Sequence, residues 1–128
     1  MVGIGSPMAK ILITEDDEAV RSFVARALEM EGHNVDLAED GEDGLDTLRA
    51  ANGNYDLLLT DIQMPYMDGI ELAHNAANLF PKLKILMMTG YADQRERADG
   101  LDKIVIDVVS KPFSLHEIRE QVRLALAA

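Results

Sequence analysis

The sequence predicts an α/β fold: a doubly wound, five-stranded parallel sheet in the order 2-1-3-4-5, covered by five helices. Two observations lead to this prediction. Short apolar runs of strand character alternate five times with segments of helical periodicity, and such alternation places helices on both faces of a parallel sheet through right-handed crossovers. The third run is almost entirely apolar, as expected for a strand covered on both faces. At this chain length the usual strand order is 2-1-3-4-5.

The first half of the chain supplies two strands and two helices. KILIT, residues 10–14, is a short β-branched run, and NVDLA, residues 34–38, alternates as a strand does. Gly32 is the expected stop signal of the helix between them, and residues 41–51 predict the second helix. The first helix has its apolar residues at i, i+3, i+4, i+7 and i+8, which predicts one buried face of Val20, Phe23, Val24, Ala27 and Leu28.

The second half continues the alternation. YDLLLT, residues 55–60, and KILMM, residues 84–88, predict the third and fourth strands, and the fifth lies within KIVIDVV, residues 103–109. Residues 68–80 predict the third helix, which Pro81 stops.

Two further segments complete the predicted helices. Residues 92–99 are polar on nearly all sides and predict only a short, weakly held helix. Ser114 is the expected N-cap of the last helix, with Glu117 at the capping-box position.

The apolar residues 104–106 exceed what a short fifth strand needs. We expect a longer buried strand there, and the alternative is a surface that faces a partner.

Length, charge and composition limit the possible functions. The 128 residues fit one domain. We expect residues 1–7, which lack periodicity, to be a leader ahead of a natural start at Met8, so that the domain occupies residues 8–128. A net charge of −11 disfavours nucleic acid and acidic membranes as partners. The absence of cysteine, of a signal peptide and of a long apolar run predicts a cytoplasmic protein.

Side chains that could bind a metal ion or take part in a reaction lie where the strands end. The acidic run EDDE, residues 15–18, follows the first strand, and Asp61 ends the third. Thr89 and Gly90 follow the fourth strand, and SKP, residues 110–112, ends the fifth. The carboxyl ends of the strands share one edge of such a sheet, where ligands bind between strands 1 and 3. The sequence therefore predicts one pocket that contains carboxylates, a hydroxyl and an ammonium group.

These residue types suit magnesium-dependent phosphoryl transfer. Crowded carboxylates repel one another unless a cation is bound, and oxygen ligands without cysteine or clustered histidine suit Mg²⁺. Asp61 beside such an ion is placed to attack phosphorus and form an acyl phosphate. The Lys111 ammonium, the Thr89 hydroxyl and backbone N–H groups would balance charge on the phosphoryl oxygens, and Gly90 leaves space for a donor. Taken alone, Asp61 would be read as a turn residue.

The motifs that carry these residues resemble those of response-regulator receiver domains in bacterial two-component signalling. The matching stretches are EDD after strand 1, TDIQMPYMDG after strand 3, MTGYA after strand 4 and SKPF before the last helix. The resemblance covers Met8 to Ala128 and implies a CheY-like, flavodoxin-like fold. It implies a response regulator that accepts a phosphoryl group from a histidine kinase or histidine phosphotransferase with Mg²⁺ and signals through a changed protein-interaction surface. Such a protein is a phosphoacceptor with self-catalysed phosphorylation and dephosphorylation, not an enzyme for a separate substrate.

The resemblance also implies the roles of the phosphoryl-binding residues. Asp61 is the expected phosphoacceptor, Thr89 the switch hydroxyl and Lys111 the phosphate-binding ammonium. The bond between Lys111 and Pro112 is expected to be cis.

The same resemblance implies the metal ligands. The expected magnesium ligands are Glu15 acting through water, Asp16, Asp61 and the backbone carbonyl of Gln63. We place the acidic pair at Glu15 and Asp16 because Arg21 then lies at the family's usual distance, and the pair Asp16-Asp17 remains the alternative.

One position departs from the family pattern. Receivers usually carry Tyr or Phe three residues before the lysine, where this chain has Val108. Tyr91, two residues after Thr89, is the nearest aromatic side chain for that switch role. The sequence also resembles single-domain regulators that tune delivery of substrates to the ClpXP protease, which implies a ClpXP-related effector and regulated proteolysis. The ending LALAA resembles the tail that ClpXP reads, and a fraying helix end is the simpler interpretation.

Two rival functions require residues that this chain lacks. A haloacid-dehalogenase phosphatase needs a second Asp two residues after the nucleophile, where this chain has Gln63. A flavin-binding protein needs a phosphate-binding loop after strand 1, where EDDE would repel the phosphate. A relay intermediate, a phosphate sink and a constitutive interaction module remain alternatives. Because the length leaves no output domain, we expect a stand-alone regulator whose output surface is the helix of residues 92–99, strand 5 and the last helix.

Overall fold

The structure is a computed structural model that describes residues 9–90, 101 and 103–128. The described residues form a parallel sheet ordered β2-β1-β3-β4-β5 with four helices. The strands are β1 Lys10–Thr14, β2 Asn34–Ala38, β3 Leu57–Asp61, β4 Lys84–Thr89 and β5 Asp107–Ser110. The helices are α1 Glu18–Glu29, α2 Gly41–Ala50, α3 Gly69–Leu79 and α4 Leu115–Ala127. The predicted sheet and strand order are confirmed. The predicted leader of residues 1–7 and helix of residues 92–99 lie outside the described residues.

The sheet separates two hydrophobic clusters, one on each face. In β3, Leu58 faces the cluster formed with α2 and α3, whereas Leu57 and Leu59 face the cluster formed with α1 and α4. All three leucines are fully buried, because successive side chains of a strand point to opposite faces and both faces are covered. This burial holds the carboxyl end of β3, and with it Asp61, in the middle of the sheet.

Each helix begins at a side chain that accepts backbone N–H groups. The N-caps of α1, α2 and α3 are Asp17, Asp40 and Asp68. Ser114 caps α4 and forms the predicted capping box with Glu117. These caps satisfy N–H groups that have no partner within the helix. Each helix in the described part of the chain is too short or too polar to cross a bilayer.

Two sequence predictions about packing were wrong. Phe23 was expected on the buried face of α1, but it is 41% exposed and stacks on Phe113 with ring centroids 6.5 Å apart. At this point α1 faces the connection between β5 and α4, so the ring covers that connection and not the sheet. A long fifth strand was also expected, yet β5 begins only at Asp107. The N–H groups of Ile104 and Val105 both turn back to the carbonyl of Leu101, which makes their segment a turn.

The loop between β3 and α3 holds an exposed tyrosine in a strained backbone conformation. Tyr66 has a φ of 68°, and the Met67 N–H donates to Pro65 O across it at 2.8 Å. A three-residue turn with a positive central φ is rare and costs energy for a residue with a Cβ atom. Because Tyr66 is 83% exposed, its removal loses little packing.

Replacing Tyr66 with glycine should therefore stabilise the domain by about 1 kcal/mol, because glycine adopts a positive φ without strain. Urea unfolding followed by circular dichroism would measure the change. Asn52→Gly is the matched control: Asn52 also has a positive φ, 55°, but asparagine tolerates it, so only a few tenths of a kcal/mol are expected. Equal gains for both variants would contradict the strain at Tyr66.

Candidate functional site

A cleft of about 690 Å³ lies at the carboxyl ends of the strands, where the strand order reverses between β1 and β3. Asp61 is the last residue of β3 and Thr89 the last of β4, so strand pairing fixes the position of both residues. The cleft is lined by Glu15, Asp16, Asp17, Ala19, Val20, Phe23, Asp61, Gln63, Gly90, Lys111, Pro112 and Phe113. The structure thus brings together most of the predicted site residues.

Of the two predicted switch positions, the structure describes only Thr89, which is not among the residues that line the cleft. Thr89 is 2% exposed, and its carbonyl accepts the Lys111 N–H at 2.7 Å, which ties the ends of β4 and β5 together. Tyr91 lies outside the described residues. Val108, at the usual aromatic position, is partly buried against the core on the α3 side of the sheet. The bond between Lys111 and Pro112 is cis.

Three carboxylates converge in the cleft. Oxygen atoms of Glu15, Asp16 and Asp61 all lie within 4.8 Å of one another. Glu15 and Asp61 are 1% and 5% exposed, whereas Asp16 is exposed. A group of hard oxygen atoms with one open side matches the preference of Mg²⁺, which takes few protein carboxylates and keeps several waters.

Lys111 is the cation that contacts two of these acids. Its Nζ lies 2.6 Å from Glu15 Oε1 and 3.1 Å from Asp61 Oδ1. Apart from that ion pair, the buried Oδ1 accepts no hydrogen bond from the described residues. A buried carboxylate oxygen without a hydrogen-bond donor is unusual. A metal ion bound at the three carboxylates would satisfy this oxygen, so the residues present fit the ion that their chemistry predicts.

The titration behaviour of the acids reflects this crowding. Burial raises the pKa of Glu15 to about 7, although the hydrogen bond from Lys111 acts in the opposite direction and the charge of Asp61 adds to the rise. Burial also raises the pKa of Asp61, again opposed by Lys111. Burial alone would lower the pKa of Lys111, but its contacts to the two acids outweigh burial and raise it. One ammonium group therefore compensates two buried carboxylates only in part.

A second layer of contacts fixes the loop between β1 and α1. Arg21 donates from its guanidinium to Glu15 O at 2.7 Å, a contact that the sequence reasoning missed because it used Arg21 only as a marker of spacing. The Asp17 carboxylate caps α1 by accepting the N–H groups of Ala19 and Val20. The acids grouped with Asp61 are accordingly Glu15 and Asp16, while Asp17 serves the helix.

Two buried hydroxyls behind the cleft were also missed from the sequence. The Thr14 hydroxyl donates to that of Thr60, which in turn donates to Asp61 O at 2.9 Å. Both threonines are fully buried and lie opposite each other in β1 and β3. Because a buried hydroxyl without a partner is costly, this chain of hydrogen bonds fixes the two strand ends relative to each other. The available signal was a threonine, Thr60, directly before Asp61 at the end of an apolar strand.

Comparison with known proteins gives a family, one relative matched over almost its full length and one matched over half of its length. The family described as the response regulator receiver domain matches residues 11–123. The chain is 39% identical over 121 residues to the response regulator receiver protein CpdR of Brucella abortus (strain 2308), covering 94% of this chain and 99% of that protein. It is 37% identical over 117 residues to the response regulator MprA of Mycobacterium sp. (strain KMS), covering 91% of this chain. The chain spans 50% of the length of MprA.

A solved structure shares both fold and sequence with this chain. The response regulator TrrA of Thermotoga maritima, in complex with Mg(2+)-BeF, matches with a TM-score of 0.81 and 32% identity. The match covers 92% of this chain and 99% of TrrA.

Proposed function

This chain belongs to the response regulator receiver family, and from that membership we propose that it is a phosphorylation switch whose phosphoacceptor is Asp61. The phosphoryl donor is a histidine kinase or a histidine phosphotransferase, and the reaction needs Mg²⁺. The observation that best supports this proposal is the arrangement of Asp61 itself. Its buried Oδ1 has only the Lys111 ion pair among the described residues, and Asp61 lines the cleft beside two further acids.

The metal ion would be held by the carboxylates of Glu15, Asp16 and Asp61 with the carbonyl of Gln63, all of which line the cleft. When bound, Mg²⁺ supplies positive charge to the phosphoryl oxygens and relieves the repulsion among the acids. Glu15 is almost fully buried beside Lys111, so we propose that it acts at this site through water.

The chain's own residues then perform the transfer. A carboxylate oxygen of Asp61 attacks the phosphorus as the bond from phosphorus to the donor's imidazole nitrogen breaks, and the electron pair leaves with the imidazole. Lys111 already lies 3.1 Å from Asp61, so its ammonium can move from Glu15 to an oxygen of the new acyl phosphate. Gly90 lines the cleft without a side chain, which leaves the donor an open approach. Phosphorylation and dephosphorylation are on this proposal self-catalysed.

The signal would leave through the elements joined to Lys111 and Thr89. The hydrogen bond from the Lys111 N–H to Thr89 O couples the end of β4 to the start of the connection into α4. Movement of the Thr89 hydroxyl toward the acyl phosphate would shift the segment after Gly90, with Tyr91 as the switch aromatic. Phosphorylation of Asp61 would in this way shift the population of the domain between two states that differ in their surface.

We extend the proposal to the protein's setting in the cell. The regulator acts in the cytoplasm, on a downstream protein effector related to the ClpXP protease, and thereby controls regulated proteolysis. Support for this step is the full-length similarity to the CpdR receiver protein. A relay intermediate, a phosphate sink and a constitutive interaction module are the alternatives.

The direct test is phosphorylation by acetyl phosphate, followed by intact mass spectrometry. The chain should gain the mass of one phosphoryl group with Mg²⁺ present and none with a chelator present. Asp61→Asn should gain none, because an amide oxygen is a poor nucleophile and forms no acyl phosphate. Phosphorylation of the Asn variant would overturn the proposal by assigning the phosphoryl group to another residue. A failure of the unchanged chain to gain mass would overturn it in favour of the constitutive module.

A matched pair of variants tests the assignment of the acids. Asp16→Asn should phosphorylate roughly tenfold or more slowly, because it loses a metal ligand. Asp17→Asn should phosphorylate normally, since asparagine caps a helix as well as aspartate does. The reverse ranking would assign the metal to Asp16 and Asp17, the alternative acidic pair.

A further inference from the structure

A second groove lies at the edge of the sheet opposite the cleft. It has a volume of about 470 Å³ and is bounded by the ends of α3 and α4, the start of β4 and the turn before β5. The strands are parallel, so their amino ends are separated from the carboxyl-end cleft by the length of the sheet. The groove is therefore independent of the proposed phosphorylation chemistry.

The groove has an apolar floor and an apolar rim. Leu83 and Val105 form its floor and are 8% and 5% exposed. Ile104 is half-buried, and Ile106 is 39% exposed on the rim. These isoleucines belong to the apolar run that was predicted as part of a longer strand. Because β5 begins only at Asp107, Ile104 and Val105 line the groove in a turn. Ile106 also lines the groove, and its N–H donates to Ile85 O of β4 at 2.8 Å.

The charge of the groove is opposite to that of the whole chain. The sequence contains 23 acidic and 12 basic residues, yet three of its five lysines, Lys82, Lys84 and Lys103, line this groove. Across the part of the chain that the structure describes, the groove lining contains no Asp or Glu side chain. Basic residues are therefore concentrated in this groove although the chain as a whole is acidic.

Helix capping explains only one of these lysines. Lys84 Nζ donates to Leu126 O at 2.6 Å and so satisfies a carbonyl at the end of α4. Lys82 and Lys103 are both exposed and form no ion pair with any residue that the structure describes. Within the described part of the chain, their ammonium groups therefore have no anionic partner.

We propose that this groove binds a short acidic segment of a partner protein. Carboxylates of the segment contact Lys82 and Lys103, and one of its apolar side chains packs over Leu83 and Val105 beside Ile106. The volume falls within the ~300–1,000 Å³ range of binding pockets. A nucleic acid would leave the apolar floor without a counterpart and would meet the repulsion of the −11 net charge. A short acidic segment is affected less by the net charge of the whole chain, because salt screens charges that lie beyond a Debye length of ~10 Å. The charges nearest to it in the groove are those of the lysines.

The first test uses a defined probe, an end-blocked octapeptide of alternating Glu and Leu. In a titration followed by ¹⁵N–¹H correlation spectra, the shift changes should concentrate in residues 81–84 and 103–106. The same octapeptide with Gln in place of Glu should bind about tenfold more weakly, because it loses the charge contacts. Equal binding of both peptides, changes confined to the cleft, or no binding would overturn the proposal. A short single-stranded oligonucleotide that gives the same changes would also overturn it.

The second test reverses the charges of the groove. The double variant Lys82→Glu, Lys103→Glu should bind the acidic probe about tenfold more weakly than the unchanged protein, since attraction becomes repulsion at two contacts. Arg26→Glu, on the exposed side of α1, changes charge far from the groove and should bind the probe normally. Both substituted lysines are exposed, so the thermal midpoint should stay close to that of the unchanged protein. Unchanged affinity in the folded double variant would contradict the proposal.

Discussion

Replacing Gly69 with alanine should destabilise the domain by about 3 kcal/mol or more, enough to unfold a marginally stable protein. A Cβ atom built on Gly69 would lie 1.9 Å from Asp61 O and 2.8 Å from the Asp61 carbonyl carbon. Both are backbone atoms, so no side-chain rotation can relieve the clash. The Gly69 N–H also donates to Ile62 O at 2.7 Å, which holds the start of α3 against the end of β3.

The expected change would be measured as the urea midpoint of unfolding followed by circular dichroism. Gly90→Ala is the matched control, because no atom of the described residues lies within 4 Å of a Cβ built on Gly90. That variant should keep its midpoint to within about 0.5 kcal/mol. A Gly69→Ala protein as stable as the control would mean that the strand end yields easily, and that the position of Asp61 is less rigid than its backbone packing indicates.

Replacing Lys111 with methionine should destabilise the metal-free domain by about 2 kcal/mol near pH 8. The ammonium contacts Glu15 at 2.6 Å and Asp61 at 3.1 Å, and both acids are buried. Removing one partner of a buried ion pair leaves an uncompensated charge, which costs about 3–5 kcal/mol for full burial. Lys111 is 21% exposed, so solvent screening reduces the expected loss.

The loss should depend on pH, and the pKa values give its sign. The pKa of Glu15 is raised from its ordinary 4.5 to about 7, so the folded state holds a proton that the unfolded chain has released. Stability of the unchanged domain therefore falls as pH rises through this window. Without the ammonium the pKa values of both acids rise further. The difference between variant and unchanged protein should be small near pH 5 and grow above pH 7.

Unfolding in urea at several pH values with a chelator present would measure this difference. Lys82→Met removes an equivalent charge from an exposed position and should show no such growth with pH. The Lys111 variant should also take phosphate from acetyl phosphate roughly a hundredfold more slowly, since it lacks the charge that contacts the phosphoryl oxygens. A loss of stability that is the same at every pH would assign Lys111 a packing role and contradict the electrostatic account.

Much of the fold could be predicted from local patterns. The apolar run YDLLLT, residues 55–60, predicted the third strand, which the structure confirms as Leu57–Asp61. Ser114 with Glu117 predicted the start of the last helix, and the structure confirms it as well. Both signals are local, because side-chain alternation and capping act between residues a few positions apart. Phe23 and the length of β5 were predicted wrongly, since each depends on which distant segment lies opposite.

The residues of the site could be selected from the sequence, but their contacts could not. Motif order placed Asp61 and Lys111 at strand ends that must meet at one edge of the sheet. The ion pair of Lys111 with Glu15 spans 96 positions of the chain, and no periodic pattern encodes a contact of that range. The hydroxyl contact between Thr14 and Thr60, which lie 46 positions apart, was missed for the same reason. Arg21 lies only six positions from Glu15, and its contact was missed because Arg21 served only as a marker of spacing.

The sequence by itself determined the order of strands and helices along the chain, the N-cap of the last helix and the residue types at each strand end. These properties follow from side-chain periodicity and from hydrogen bonds between near neighbours. The tertiary structure alone decided which charges lie within a few ångströms of one another and how deeply each is buried. Electrostatic energies depend on distance and solvent exposure, so the raised pKa values of Glu15 and Asp61 and the lysine-lined groove exist only in the folded chain.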